Sequence, residues 1–109
     1  MRLQKSIQMQ GENLDLPREI KEFTMYYYVY VLHSNKDGNF YVGYTNDIKK
    51  RIVEHNSGKV KSTNFRRPFK LVYWEGCLSQ KDALKREKYL KTAWGKRYIK
   101  NRMGDYLTW

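Results

Sequence analysis

The sequence predicts an α+β fold, a small three-stranded, mainly antiparallel sheet flanked by helices in the order β-β-α-β-α-α. Two β-branched and aromatic runs, residues 26–32 and 40–45, flank a turn at Asn35-Lys36-Asp37-Gly38. A third such run spans residues 69–78, and stretches of helical period, introduced by capping residues, follow the second and third runs. The chain has 109 residues, room for one domain.

Residues 1–25 read as a flexible, charge-balanced extension, within which Pro17 is compatible with the first turn of a short helix. The run Tyr26-Tyr27-Tyr28-Val29-Tyr30-Val31-Leu32 has the composition of a strand covered on both faces. Asp-Gly is a strong hairpin signal, and Phe40-Tyr41-Val42-Gly43-Tyr44-Thr45 is the returning strand. A helix follows, with Thr45 or Asn46 as N-cap and Asp47 complementing the dipole, and it ends near Asn56-Ser57-Gly58. Residues 59–68 form a basic loop containing Lys59, Lys61, Arg66 and Arg67. After the third strand, Ser79-Gln80-Lys81-Asp82 resembles a capping box and opens a helix reaching about Thr92. Gly95 is expected to interrupt it, with a shorter last helix over residues 96–103. The domain is therefore expected over residues 26–103, followed by a tail at 104–109.

Composition bounds the function. One cysteine, Cys77, rules out an internal disulfide and fits a reducing compartment. Cys77, His33 and His55 are too few soft ligands for a structural zinc site. No apolar run approaches a membrane span and residues 1–24 lack a signal-peptide core, so a cytoplasmic location is expected. The net charge is +11, and residues 1–25 carry four bases against four acids. Residues 26–109 thus hold 18 bases against 7 acids. A polyanion is the natural partner for such density, nucleic acid first, with ribosomes, acidic proteins or membranes as alternatives.

Hairpin parity gathers the first candidate site residues. A two-residue loop pairs Lys36 with Asn39, and a four-residue loop pairs Ser34 with Asn39. In both registers Tyr30, Tyr41 and Gly43 share one face, with open space expected beside the phenols at Gly43. The bland reading is that these tyrosines are core or edge rings. On the first helix Ile48, Arg51, Ile52 and His55 fall within one arc of about 100°. Arg51 on its margin suits a bidentate phosphate clamp, and His55 suits proton movement. An arginine snorkelling past the core beside a surface histidine explains the same spacing. On the second helix Ala83, Glu87, Leu90 and Trp94 follow the spacing of a buried stripe. A carboxylate there needs a partner: a divalent cation, or an ion pair with Lys91 or Arg86.

The ordered set resembles the GIY-YIG nuclease superfamily. It comprises Tyr28-Val29-Tyr30, Tyr41-Val42-Gly43 after an eleven-residue step, then Arg51, His55 and Glu87. The likeness covers residues 26–103 and is greatest to small stand-alone bacterial members related to the N-terminal nuclease domain of an excinuclease. Asn46-Asp47, His55-Asn56-Ser57-Gly58, Arg67-Pro68 and Leu84-Lys85-Arg86-Glu87 also look typical of that group. The resemblance implies metal-dependent phosphodiester hydrolysis. Glu87 would bind Mg²⁺ (or Mn²⁺), Tyr30 would activate or orient water with support from Tyr41, and Arg51 would stabilise phosphate charge. His55 would move a proton or position the phosphate.

A phenol of pKa about 10 is only about 0.1 % ionised at pH 7, so cationic surroundings must lower the pKa or the proton must pass onward. Tyr28 and Val29 replace the family's Gly and Ile. Tyr44 stands where excinuclease-type members often carry lysine, so no lysine role transfers. Asn101 is the only candidate for a functional asparagine beyond the glutamate, at a loose spacing. The function expected is a DNA endonuclease, DNA rather than RNA, directed by structure rather than sequence and with a repair connection. A monomer or weak dimer is expected. The alternatives are a nucleic-acid-binding module without turnover and a protein-interaction accessory of repair complexes.

Overall fold

The computed structural model describes residues 25–108. The chain runs through β1 (Tyr27–Ser34), β2 (Phe40–Thr45), α1 (Ile48–Asn56), a 3-10 turn at Asn64–Arg66 and β3 (Phe69–Cys77). It closes with α2 (Gln80–Leu90), α3 (Ala93–Arg102) and α4 (Gly104–Thr108). The strands form one sheet in the order β2-β1-β3, antiparallel throughout, so the expected architecture is the one observed. The extension expected over residues 1–25, with its short helix, lies outside the described residues apart from Met25. Among the described residues no helix is long and apolar enough to cross a membrane.

β1 is the central strand, which is why its apolar run is unbroken: Val29, Tyr30, Val31 and Leu32 are all buried. Its two faces bury different elements. Tyr30 and Leu32 pack with Phe69, Tyr41, Leu71 and Ile52 under α1. Val29 and Val31 pack with Ala83, Leu90, Ile99 and Met103 under α2 and α3. A register shift between Val31 and Leu32 against β3 puts both Val72 and Tyr73 into the second layer. The extra residue lets Leu71 and Trp74 both stay on the Tyr30 face.

Helix boundaries depart from the sequence reading at two places. The N-cap of α1 is Asp47, whose carboxylate accepts from the Lys50 backbone N–H at 3.1 Å, rather than Thr45 or Asn46. Thr45 is still the last residue of β2, and its hydroxyl accepts from the Asp47 N–H at 3.0 Å. The break between α2 and α3 falls at Lys91-Thr92, with Thr92 capping α3 by accepting from the Gly95 N–H at 3.1 Å. Gly95 therefore sits inside the first turn of α3 instead of interrupting a helix. A Cβ there would run into the backbone of Tyr89 and Leu90, so close helix approach explains the glycine.

Residues 104–108, read as tail, form α4. Tyr106 donates to His33 Nδ1 at 2.7 Å while His33 Nε2 donates to the Gly38 carbonyl at 3.2 Å, joining α4 to the hairpin loop. The Arg86 guanidinium grips Glu75 through two bonds of 2.8 and 2.9 Å, fixing α2 to β3.

Candidate active site

The hairpin register places the two tyrosines. Ser34 N–H donates to the Asn39 carbonyl at 2.9 Å and Gly38 N–H to the Ser34 carbonyl at 3.0 Å, so the loop is the four-residue one. Gly38 takes a φ of +74°, a conformation glycine adopts without strain. Tyr30 then lies directly opposite Gly43, on the same face as Tyr41. The space expected beside Gly43 is not open. The Tyr30 phenol occupies it, and a Cβ at Gly43 would collide with that ring. Glycine here lets a buried phenol lie across the neighbouring strand.

The α1 helix delivers His55 to the same place. The Asn56 side chain donates to the Phe69 carbonyl at 3.0 Å and accepts from the Phe69 N–H at 2.7 Å, pinning the end of α1 to β3. His55 is consequently fully buried, not carried on a margin. Its ring meets Tyr41, Tyr30 and Phe69 edge-on, with centroids 5.1, 5.8 and 5.8 Å away. His55 Nδ1 lies 2.8 Å from the Thr63 hydroxyl, and His55 Nε2 lies 2.9 Å from the Tyr30 hydroxyl.

The His55 tautomer is assigned from its neighbours, with the long contact from Thr63 to Val60 setting the direction. Thr63 can donate to the Val60 carbonyl at 3.4 Å, leaving its oxygen to accept from His55 Nδ1–H. His55 Nε2 then accepts from Tyr30. Burial and the Arg51 charge hold His55 down to a pKa of about 4, so the imidazole is neutral at pH 7.

Arg51 reaches the cluster from one turn earlier on α1. Its Nη1 donates to Glu54 at 2.9 Å and the guanidinium also approaches the Tyr30 hydroxyl, which together keep it charged; the donors beyond these two are left for a ligand. Arg51 lowers the Tyr30 pKa, but burial raises it more, with Tyr41 and Glu87 adding to the rise, and the phenol stands at about 12. Of the two routes that the tyrosine chemistry allows, a lowered pKa is therefore not the one at hand. The Tyr30 hydroxyl is instead held by the neutral His55 imidazole, which at a pKa of about 4 accepts a hydrogen bond but is a weak base.

Glu87 comes from α2. The stripe read through Ala83, Glu87, Leu90 and Trp94 is only partly formed. Ala83 and Leu90 are buried, whereas Trp94 belongs to α3 and is largely exposed. The Glu87 carboxylate is half-buried and bonded to Lys91 Nζ at 3.1 Å, while Arg86 is committed to Glu75. Glu87 lines a hollow with Leu84, Lys85, Lys88 and Lys91, and its charge is felt at Tyr30. Among the described residues no three His, Cys, Asp or Glu side chains gather as a metal cluster.

The basic loop divides. Lys59, Lys61 and Arg67 are exposed, with Arg67 Nε donating to the Asn64 carbonyl at 2.7 Å. Arg66 is instead built into the fold. Its Nε pairs with Asp37 at 2.7 Å and its guanidinium lies 5.5 Å from the centroid of the Phe69 ring. The pair holds the Asp37 carboxyl down to about 2. Asn101 is exposed on α3, and its side chain makes no hydrogen bond among the described residues.

Two groups escaped the sequence reading. Thr63 is a buried threonine inside a polar loop, eight residues past His55, and nothing in its neighbourhood marks it. Lys96 and Lys100 line a groove of about 410 Å³ beside β2, together with Tyr41 and Lys91. Their i, i+4 spacing was a visible signal.

A family model described as the GIY-YIG catalytic domain matches residues 26–106. The chain belongs to the GIY-YIG family. Its relatives include a UPF0213 protein of Staphylococcus saprophyticus, 48 % identical over 61 % of this chain and 80 % of the relative. Another, from Bacillus pumilus, is 46 % identical over 61 % of this chain and 67 % of the relative. The solution NMR structure of a UPF0213 protein from Bacillus halodurans is 37 % identical, with a TM-score of 0.47 over 73 % of this chain and 87 % of that one. Membership in the GIY-YIG family carries a nuclease domain and a nucleic-acid substrate.

Proposed function

We propose that the protein is a divalent-metal-dependent endonuclease that hydrolyses phosphodiester bonds in DNA, directed by substrate structure rather than sequence. A contribution to DNA repair in the cytoplasm, acting as a monomer or weak dimer, goes with this reading. The observation that carries it is the buried hydrogen bond from Tyr30 to a neutral His55. A phenol of pKa about 12 is ionised in about one molecule in 10⁵ at pH 7, too few for a free phenolate to serve as base. Held by its bond to His55 Nε2, the Tyr30 hydroxyl positions the attacking water beside the Arg51 charge, which lowers the cost of drawing a proton from that water. The neutral imidazole keeps its bond to Thr63 and so holds the phenol in place.

The other residues act on charge and position. The Arg51 donors not engaged by Glu54 bind phosphate oxygens and stabilise the charge that develops on them. Tyr41 packs against the His55 ring and holds the imidazole in line with Tyr30. Glu87, whose charge reaches Tyr30, is the single hard carboxylate that would hold Mg²⁺ or Mn²⁺, ions that take water and phosphate oxygens for their remaining positions. When bound, such an ion supplies Lewis-acid polarisation of the phosphate and leaving group. Lys91, the present partner of Glu87, would have to give the carboxylate up to such an ion. The exposed Lys59, Lys61 and Arg67, with Lys96 and Lys100, attract the substrate backbone.

The test is a cleavage panel of single-stranded, branched and duplex DNA, with RNA counterparts, in Mg²⁺ or Mn²⁺. Wild-type protein is expected to cut, while Tyr30→Phe and Glu87→Ala lose activity and keep their fold. Wild-type protein inert on every substrate, with salt-sensitive binding indifferent to EDTA and to Glu87→Ala, selects a binding module without turnover.

A further inference from the structure

The Tyr30 face of the sheet is covered over only part of its length. The nine residues of α1 span about 13 Å and lie over Leu32, Leu71 and Phe69 through Ile52 and His55. The opposite end of that face carries Tyr28, Trp74 and Gly76. Register fixes this: Trp74 stands opposite Tyr30 on β3, and Gly76 stands opposite Tyr28. Trp74 is 45 % exposed and Tyr26, just before β1, is 39 % exposed. The Tyr28 ring lies over Gly76, where a Cβ would sit 3.2 Å from two of its atoms. Trp74 meets Tyr28 edge-on at 5.6 Å between centroids, and Tyr26 meets Tyr28 at 6.5 Å. Three contiguous rings thus form an aromatic patch, uncovered among the described residues, that continues directly from the buried Tyr30.

We propose that this patch is a stacking platform for unpaired bases of the nucleic-acid substrate. The ligand class rests on the nuclease reading, while the platform rests on the sheet. Stacking needs exposed, mutually braced rings with a cationic border, because every base offers a π-face and every linkage a negative charge. The rings are Tyr26, Tyr28 and Trp74. The border is the first half of α1, where Lys50 is exposed and Arg51 is within reach of Tyr30. Asp47, capping that helix, is the acidic neighbour of Tyr28 and marks how near the helix start lies to the platform. Bases of a duplex are stacked on one another and offer only edges, so the platform selects single strands, frayed ends or overhangs. A strand whose bases rest on Tyr28 and Trp74 carries its backbone past Arg51 and Tyr30, which places an unpaired stretch beside the bond that is cut.

The experiment measures binding, not cleavage, in EDTA. Fluorescently labelled single-stranded DNA and a blunt duplex of the same sequence are titrated against wild-type protein, Trp74→Ala, Trp74→Phe and Tyr28→Ala. Trp74→Ala and Tyr28→Ala are each expected to weaken single-strand binding roughly tenfold, with duplex affinity unchanged and Trp74→Phe close to wild type. Thermal melts of each variant separate lost binding from lost fold. Unchanged single-strand affinity in both alanine variants overturns the proposal, as does equal loss on both ligands. A change in oligomeric state with unaltered DNA binding also overturns it, since a second copy of the chain is then the occupant. Wild-type protein that binds with this preference yet never cuts leaves the platform standing and removes only the nuclease reading.

Discussion

The Tyr30 hydroxyl donates to His55 Nε2 across 2.9 Å, and both side chains are buried. A buried phenol bonded to an imidazole of pKa about 4 keeps its proton, and the bond fixes where the phenol oxygen lies. The direction of that bond depends on Thr63, which faces the other imidazole nitrogen.

Thr63→Val tests this dependence. Valine keeps the shape and removes the acceptor for His55 Nδ1–H, leaving a buried donor without a partner at a cost of about 1–3 kcal/mol. The imidazole then loses both its preferred tautomer and the bond that steadies its ring beside Tyr30. Turnover should fall about tenfold or more, with KM little changed, since Thr63 acts only through His55. Thr63→Ser restores the hydroxyl and should restore kcat, whereas equal damage from both variants points to packing alone. Steady-state cleavage rates alongside denaturant melts separate these outcomes.

Gly43→Ala addresses the opposite side of the same phenol. The new methyl would meet the Tyr30 ring, with its Cε1 at 2.9 Å the farthest of the three nearest atoms. The ring cannot swing away without breaking its bond to His55, and the strand cannot shift without losing its pairing to β1. The expected result is a loss of about 1–3 kcal/mol in stability by overpacking and a large loss of cleavage, without effect on distal nucleic-acid binding. A Gly43→Ala protein with normal activity would show that the tyrosine does not need this position.

How far the sequence reveals these relationships follows from period and reach. Strand alternation is a two-residue pattern, so either hairpin register puts Tyr30, Tyr41 and Gly43 on one face, and that reading holds. The helical arc of Ile48, Arg51, Ile52 and His55 also holds, yet how deeply His55 is buried depends on Asn56 bridging to Phe69, a contact between segments. Trp94 fails as a stripe residue because Thr92 starts a new helix. The loop cations illustrate the same limit. Arg66 and Arg67 are adjacent and chemically identical, and only the folded hairpin loop distinguishes the one that meets Asp37. Thr63 had no local signature at all.

Acidification should weaken the fold through His55. Its folded pKa of about 4 lies below the ordinary value of 6.5. Between those values the unfolded chain binds a proton that the native state refuses, so stability rises with pH across the window and levels off above it. Between pH 7.5 and pH 5 the loss from this residue is about 2 kcal/mol. Asp37, with its folded pKa of about 2, acts only at lower pH and does not confuse the measurement. Urea unfolding at the two pH values should show the loss in wild-type protein and much less of it in His55→Gln. An identical pH dependence in both proteins removes His55 as the cause.

Arg66 and its neighbours give a contrast within one loop. Arg66 holds Asp37 and covers Phe69, whereas Lys59 and Lys61 extend into solvent and Arg67, though exposed, bonds back to Asn64. Arg66→Ala should therefore lower stability by about 1 kcal/mol, mostly through weaker packing and loop anchoring, because a partly exposed ion pair contributes little by itself. Its effect on binding should be small once the protein is folded. Replacing Lys59 and Lys61 with alanine should do the reverse, leaving the melt unchanged and weakening duplex and single-strand binding alike. Each phosphate that is no longer neutralised reduces the slope of log affinity against log salt by about 0.7 to 0.9. Binding isotherms at several salt concentrations, paired with thermal melts, discriminate the two classes. An Arg66→Ala protein that is fully stable but has a shallower salt slope would place Arg66 on the nucleic acid instead.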